Sequence, residues 1–357
     1  MNLNNAVQYL LFVVVLTLCV RPLGGYMERV FSRRRTMLDP VWAPVERWIY
    51  RLTGVDPAAE MTAGQYATCF VIFSLIGTLI LYFILRSQRL LPWFFPQYLT
   101  TALTPDLSLN TAISFSTTST WQAYAGENTM SYASQMVGLC VQNFLAGAVG
   151  LAVGIAFIRG LAREGFQTLG NFWVDLTRSL LWILAPGSLL GALLLIGQGV
   201  PMNFHHYVVA HSLDGPRQVI AQGPVAALEI IKNLGTNGGG FFNANAAHPY
   251  ENPTALTNIL ELFAIVLLPA ARCTIRARAG SSIGSCSSSS SAVWRRCMSA
   301  SSAPIRFCTA SLPSELRYSR VATWKGKKRG LAWQAPRSPA RSPPTPPPVP
   351  LTSRTTA

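Results

Sequence analysis

Charge is scarce in this sequence, and acidic charge is scarcest. Only 12% of the 357 residues are charged, half are hydrophobic, and the mean hydropathy is +0.30. That balance excludes an ordinary soluble globule and indicates an integral membrane protein. The 14 acidic residues face 29 basic ones, for a formal net charge of +15. An excess of that size suggests nucleic acid, but it is not spread over the chain. Residues 272–357 hold 15 Lys/Arg and a single acid, Glu315, so residues 1–271 are near neutral. Nucleotide chemistry is missing as well: there is no Gly-x-x-x-x-Gly-Lys-Ser/Thr run and no Asp-Lys-Thr-Gly-Thr. Any work done with ATP would therefore fall to another chain. No two of the seven cysteines make a Cys-x-x-Cys pair, which argues against zinc. Cys19, Cys69 and Cys140 lie in apolar runs and read as buried thiols, while Cys273, Cys286, Cys297 and Cys308 lie in the basic segment.

What the chain has in quantity is long apolar runs. Ala6–Val20 lacks a preceding basic residue and a small-x-small cleavage site, so it reads as a first membrane helix rather than a signal peptide. Arg21, Arg29, Arg33, Arg34, Arg35, Arg47 and Arg51 follow and mark a cytoplasmic loop, which puts the N-terminus outside. Further spans are expected over about 65–85, 134–158, 174–196 and 255–269, each near the length needed to cross the hydrocarbon core. Between the last two, His205, His206 and His211 lie in an outer loop. A solvated loop is the preferred reading there, since no carboxylate pattern supports a metal site.

Two apolar stretches are too short to span. Leu107–Phe115 leads into Ser116-Thr117-Thr118-Ser119-Thr120-Trp121-Gln122, and Pro224–Leu234 leads into Asn233–Asn245, which holds four glycines in six residues. Glycine permits positive φ and close approach. Irregular backbone inside a membrane is tolerated where it is buried in protein or lines a polar cavity. A short helix, a turn rich in Gly, Thr and Asn, and a span are what a re-entrant filter loop needs, with carbonyl oxygens replacing the water around an ion. The alternative is an ordinary surface loop, but the arrangement occurs twice, over 65–158 and 174–271, as internal repetition in transporters does. The division expected is 1–64 for the first helix and cytoplasmic loop, 65–173 and 174–271 for the two repeats, and 272–357 for a basic tail.

That tail changes character abruptly. It has a serine-rich run, Ser281–Ser291, a proline-rich run, Ser338–Pro350, and no apolar stretch of spanning length. One reading is a disordered basic segment that binds acidic lipid or nucleic acid. Another is translation out of frame: shifted by one base, the codons for Thr323–Lys328 allow Met-Glu-Gly-Lys-Glu.

Several stretches together resemble the potassium-binding, pore-forming subunit of the bacterial Kdp potassium-uptake ATPase. They are Arg21–Gly24, Trp121–Glu127, Val141–Leu145, Gly235–Asn245 and His248–Asn258, within a match running to about Ala271. The resemblance implies an all-α integral membrane fold of the potassium-channel superfamily, with span–pore loop–span repeats, two of an expected four being present. It implies a multi-pass protein of the bacterial inner membrane that is not itself an enzyme. Its partners would be a P-type ATPase catalytic subunit, small accessory membrane subunits and lipid, with no nucleic acid. The ion would be potassium. The first filter loop would be Thr117, Thr118 and Ser119 to Thr120, with Gln122 just above. The second would be Thr236, Asn237 and Gly238, with Asn243 beside it. Thr118 and Thr120 stand where the family commonly has asparagine, which alters the side chains offered to the ion but not the backbone carbonyls. The family's later Met-Glu-Gly-Lys-Glu segment matches the shifted frame, and a frameshift between Pro269 and Cys273 is the expectation that follows. Glu127, Glu229 and Glu251 are expected near the outer entrance, as solvated charges in preference to a cation-concentrating ring. A stand-alone pore-loop channel or symporter, and a basic membrane-anchored binding protein, are the competing functional classes.

Overall fold

A computed structural model describes residues 3–90, 101–162, 168–211 and 217–281. The 272–357 tail lies almost wholly outside the described residues, as do Ser338–Pro350 and the codon-shift segment.

Five helices are long and apolar enough to cross a membrane: Val7–Phe31, Ala63–Leu90, Ser134–Leu161, Phe172–Gly197 and Ala255–Arg272. The first differs from the expectation that Arg21 closes it. Helix α1 runs Leu3–Phe31 straight through Pro22. Proline removes one backbone donor, but the turns beyond it bury Met27 and Val30 completely, and Tyr26 donates to the Trp182 carbonyl at 2.8 Å. Arg21 is tolerated because a long side chain carries its charge away from the apolar stem. The last helix, α10 (Ala255–Ser281), likewise passes its expected end at Pro269.

The connection after α1 is an ordered helix, α2 (Asp39–Thr53), stopped by Gly54 in the left-handed conformation. Its inner face is anchored by polar groups. Arg178 pairs with Glu46 at 2.7 Å, and Tyr50 donates to the same carboxylate at 2.8 Å. The next span, α3 (Ala63–Ser87), begins with a capping box in which Thr62 and Gln65 satisfy each other's backbone donors. Near that end of α3, Tyr66 donates to Asp175, which also holds Arg159 at 2.5 Å.

Short helix α4 (Pro105–Ser116) packs against α3, and a four-residue helix, α5 (Gly126–Thr129), follows the loop after it. The third span opens with a π-helical stretch, Ser134–Cys140, and continues as α6 (Val141–Ala162). The fourth comprises α7 (Phe172–Arg178), a π stretch Ser179–Leu184 and α8 (Ala185–Gly197). Such wide turns are uncommon and concentrate at functional places. After α8 the histidine segment forms part of a hairpin: β3 (Val208–His211) pairs antiparallel with β4 (Arg217–Ile220), numbered after the short pair β1 (Met61–Thr62) and β2 (Thr168–Gly170). His205 lends its carbonyl to the Tyr132 hydroxyl at 2.8 Å. Short helix α9 (Val225–Leu234) then packs against α8 and α10. The order span, short helix, loop, span therefore occurs twice.

Candidate ion filter

Each short helix ends in a loop whose backbone leaves the ordinary regions. Thr118, Thr120 and Thr236 have φ of 59°, 47° and 57°, and Gly238 and Gly239 have 91° and 80°. A β-branched residue at positive φ is a genuine outlier, and such strain gathers at functional sites. Of the five non-glycine residues in this state among the described residues, three are these threonines.

Direct hydrogen bonds bring the two loops together. The Thr120 hydroxyl donates to the Asn237 carbonyl at 2.5 Å, and Gln122 Nε2 donates to the Gly240 carbonyl at 2.9 Å. The carboxylate of Glu127 accepts from the Asn243 backbone N–H at 2.9 Å. Gly238 is required twice over: a Cβ there would sit 2.7 Å from Thr120 Oγ1, on a backbone that side chains rarely adopt.

Loop 1 is steadied by hydroxyls. Thr117 Oγ1 donates to the Ile113 carbonyl at 2.9 Å, Thr118 Oγ1 to the Thr117 carbonyl at 2.7 Å and Ser119 Oγ to the Ser114 carbonyl at 3.3 Å. Loop 2 turns back on the end of α9, with the N–H groups of Asn237 and Gly238 donating to the Lys232 carbonyl at 2.9 and 3.2 Å. Once these bonds are assigned, the carbonyls of Thr118, Ser119, Thr236 and Gly238 accept no hydrogen bond among the described residues. Thr117, Thr118, Ser119, Thr236 and Gly238 are exposed, whereas Thr120 and Asn237 are buried. The Asn237 side chain points inward, donating to the Asn143 carbonyl at 2.5 Å. Gln122, also held by Tyr124, is a brace between loops, and Asn243 meets Glu127 through its backbone.

The carboxylates behind loop 2 overturn their expected solvation. Glu229 and Glu251 are fully buried. Glu251 Oε1 accepts from the N–H groups of Phe241 and Phe242 at 2.6 and 3.2 Å, just where loop 2 leaves its glycines. Its other oxygen lies 4.0 Å from Lys232 Nζ, which pairs with Glu229 at 2.5 Å. Burial pushes the Glu251 carboxyl up to about 7, with Lys232 pulling against the shift and Glu229 adding to it. Sequence reading missed this network because the partners lie at separations of 3, 10 and 19 residues. The one available signal was an acid and a base, Glu229 and Lys232, on one side of a helix otherwise apolar enough for a membrane.

The fold and these loops define a multi-pass membrane protein in which two loops, each after a short helix, bring strained, oxygen-rich backbone together at one place. Residues 10–302 match the family model for the potassium-transporting ATPase A subunit, and the chain belongs to that family. Proteins named potassium-transporting ATPase potassium-binding subunit are similar to it. Those of Methylorubrum extorquens and Rhodospirillum centenum are each 51% identical over 271 residues, covering 76% of this chain and 47% of the relative. That of Koribacter versatilis is 49% identical over 287 residues, covering 76% and 48%. The chain spans about half the length of the curated relatives it matches.

Proposed function

We propose that this chain carries part of the potassium filter of an ATP-driven uptake complex in a bacterial inner membrane. The observation that carries the reading is the set of unengaged carbonyls at Thr118, Ser119, Thr236 and Gly238, on loops held in strained backbone and tied to each other. Potassium exchanges water for oxygens, so a filter needs carbonyl dipoles fixed in advance and not spent on internal hydrogen bonds. The hydroxyls of Thr117, Thr118 and Ser119, the side chains of Gln122 and Asn237, and the bond from the Asn243 N–H to Glu127 position that backbone. Helices α4 and α9 aim their C-terminal, negative ends at it. Two loops supply half of a four-part ring, and the remaining oxygens belong to the rest of the relatives' length. The subunit does no covalent chemistry. A P-type catalytic partner hydrolyses ATP, and small accessory membrane subunits complete the assembly. With the arginine-rich segment from Arg29 to Arg51 in the cytoplasm, the N-terminus is outside and both loops open outward.

The test is growth of a potassium-uptake-deficient strain at limiting potassium with the partner subunits supplied. This chain is compared with a version continued, from the codons for Pro269–Cys273, in the frame that encodes Met-Glu-Gly-Lys-Glu. Growth of the continued version that is lost on Gly238→Asp supports the reading. Growth indifferent to Gly238→Asp removes loop 2 from the filter. Growth without partner subunits favours a self-sufficient channel.

A further inference from the structure

We propose that α2 is a lipid-docking helix whose outer face binds the anionic phospholipid surface at the membrane end where α1 leaves and α7 enters. The proposal rests on the reading of Val7–Phe31 and Phe172–Gly197 as spans.

The outer face has two parts. Met37, just before the helix, and Val41, Pro44, Trp48 and Leu52 within it follow one another at spacings of four, three, four and four. That places them in one stripe. Val41, Trp48 and Leu52 are 61%, 63% and 72% exposed. Arg47 and Arg51, also four apart, border this stripe, and Arg34 and Arg35 precede it; all four are exposed. The two acids between Arg34 and Thr53 are occupied elsewhere. Glu46 faces inward to Arg178, and Asp39 accepts from Thr36 and from Trp182 Nε1 at 3.1 Å. Arg34, Arg35 and Arg51 make no ion pair among the described residues.

The inner face fixes the depth. Helix α2 is anchored on Arg178 and Trp182, which lie in the first eleven positions of a 26-residue apolar span. At 1.5 Å per residue that span exceeds the roughly 30 Å hydrocarbon thickness, so its first one to two turns reach headgroup level, with Arg178 just below them and Trp182 about one turn deeper. Packed there, α2 holds an apolar stripe centred on a tryptophan beside a row of arginines. Tryptophan belongs at this boundary, and an amphipathic helix with a basic edge lies in the interface plane and favours anionic lipid. Charge complementarity selects the lipid surface over a protein groove as occupant.

The test uses the full chain in nanodiscs of phosphatidylcholine and phosphatidylglycerol, with one lipid or the other brominated high on the acyl chain. Trp48 emission is taken as the difference between the chain and Trp48→Phe. Brominated phosphatidylglycerol is expected to quench Trp48 at least about two-fold more than brominated phosphatidylcholine at equal mole fraction. The preference should weaken in high salt and disappear in Arg47→Gln/Arg51→Gln, while quenching itself remains. Equal quenching by both lipids overturns anionic recognition. Absence of quenching with full access to aqueous iodide leaves the face to a protein partner and overturns the proposal. A tryptophan placed at Leu18, a lipid-facing position 69% exposed near the middle of Val7–Phe31, reports the span reading separately: if deeply brominated lipid fails to quench the added emission of Leu18→Trp, the membrane placement itself has failed.

Discussion

The two loops share a strained backbone and differ in what holds it. Loop 1 is supported by its own hydroxyls, spent on carbonyls one to five residues away, and its side chains from Thr117 to Ser119 are exposed. Loop 2 is supported from behind by buried carboxylates and a lysine on α9 and the following loop. Local hydroxyl bonds are individually weak and replaceable, because water reaches their surroundings. A buried carboxylate holding two N–H groups is neither. Equivalent changes in the two loops should therefore cost very different amounts.

The largest effect is expected from Glu251→Ala. It leaves two buried donors without an acceptor and removes one carboxylate from Lys232. A loss of about 3–5 kcal/mol in unfolding free energy is expected for breaking such a network, read by thermal or denaturant unfolding in detergent. A loss under 1 kcal/mol would make the two loops equivalent in support and remove the contrast.

The same residue predicts a pH dependence. Its folded carboxyl titrates at about 7, above the ordinary 4.5, so the folded state binds the proton more tightly than the unfolded one. This contribution to stability is full below about pH 4.5 and is lost as pH rises towards 7. Melting temperatures measured across that window should fall for the chain by more than for Glu251→Gln, which cannot ionise. A matching slope in the variant would assign the dependence elsewhere.

At the contact between the loops, Gly238→Ala should cost about 1–3 kcal/mol, from an unfavourable backbone and the clash with Thr120. Thr120→Val, which strips the Asn237 carbonyl of its donor, should cost about 1–2 kcal/mol, with Thr120→Ser largely restoring it. If the serine variant behaves like valine, packing of the methyl rather than the hydrogen bond joins the loops.

The smallest effect belongs to loop 1. Ser119→Ala should cost about 0.5–1 kcal/mol or less, since a long 3.3 Å bond from an exposed side chain is readily replaced by water. A cost comparable to that of Glu251→Ala would show that loop 1 is not self-supporting.

Much of this was legible in the sequence, and the limits are physical. Hydropathy located all five spans, because solvent preference is a local, summed property. It misplaced the end of α1, because whether Arg21 and Pro22 stop a helix depends on Tyr26, Met27 and Val30 finding partners near Trp182. The glycine-rich turn announced itself, since few other residues reach φ of 91° and 80°. The threonines at positive φ did not, because β-branched residues argue for the opposite backbone. Nor was the Thr120–Asn237 bond visible across 117 positions. The burial of Glu229 and Glu251 was misjudged for the same reason: a carboxylate's surroundings are decided by residues that the order of the chain keeps apart.

Lys232 carries one further consequence. It is a basic side chain in the last turn of a helix that leads directly into the loop proposed to meet a potassium ion. Left bare, it would compete with the cargo by repelling it and by cancelling the negative end of α9. Glu229 at 2.5 Å and Glu251 at 4.0 Å enclose it. Paired with Glu229, the charge closes into a compact dipole, whose field at the loop is much weaker than that of a bare cation. Neutralising Lys232 alone would then do more than remove a positive charge. It would strip two buried carboxyl groups of their cation, and with nothing to offset burial they would take up protons and loosen the loop's support from behind.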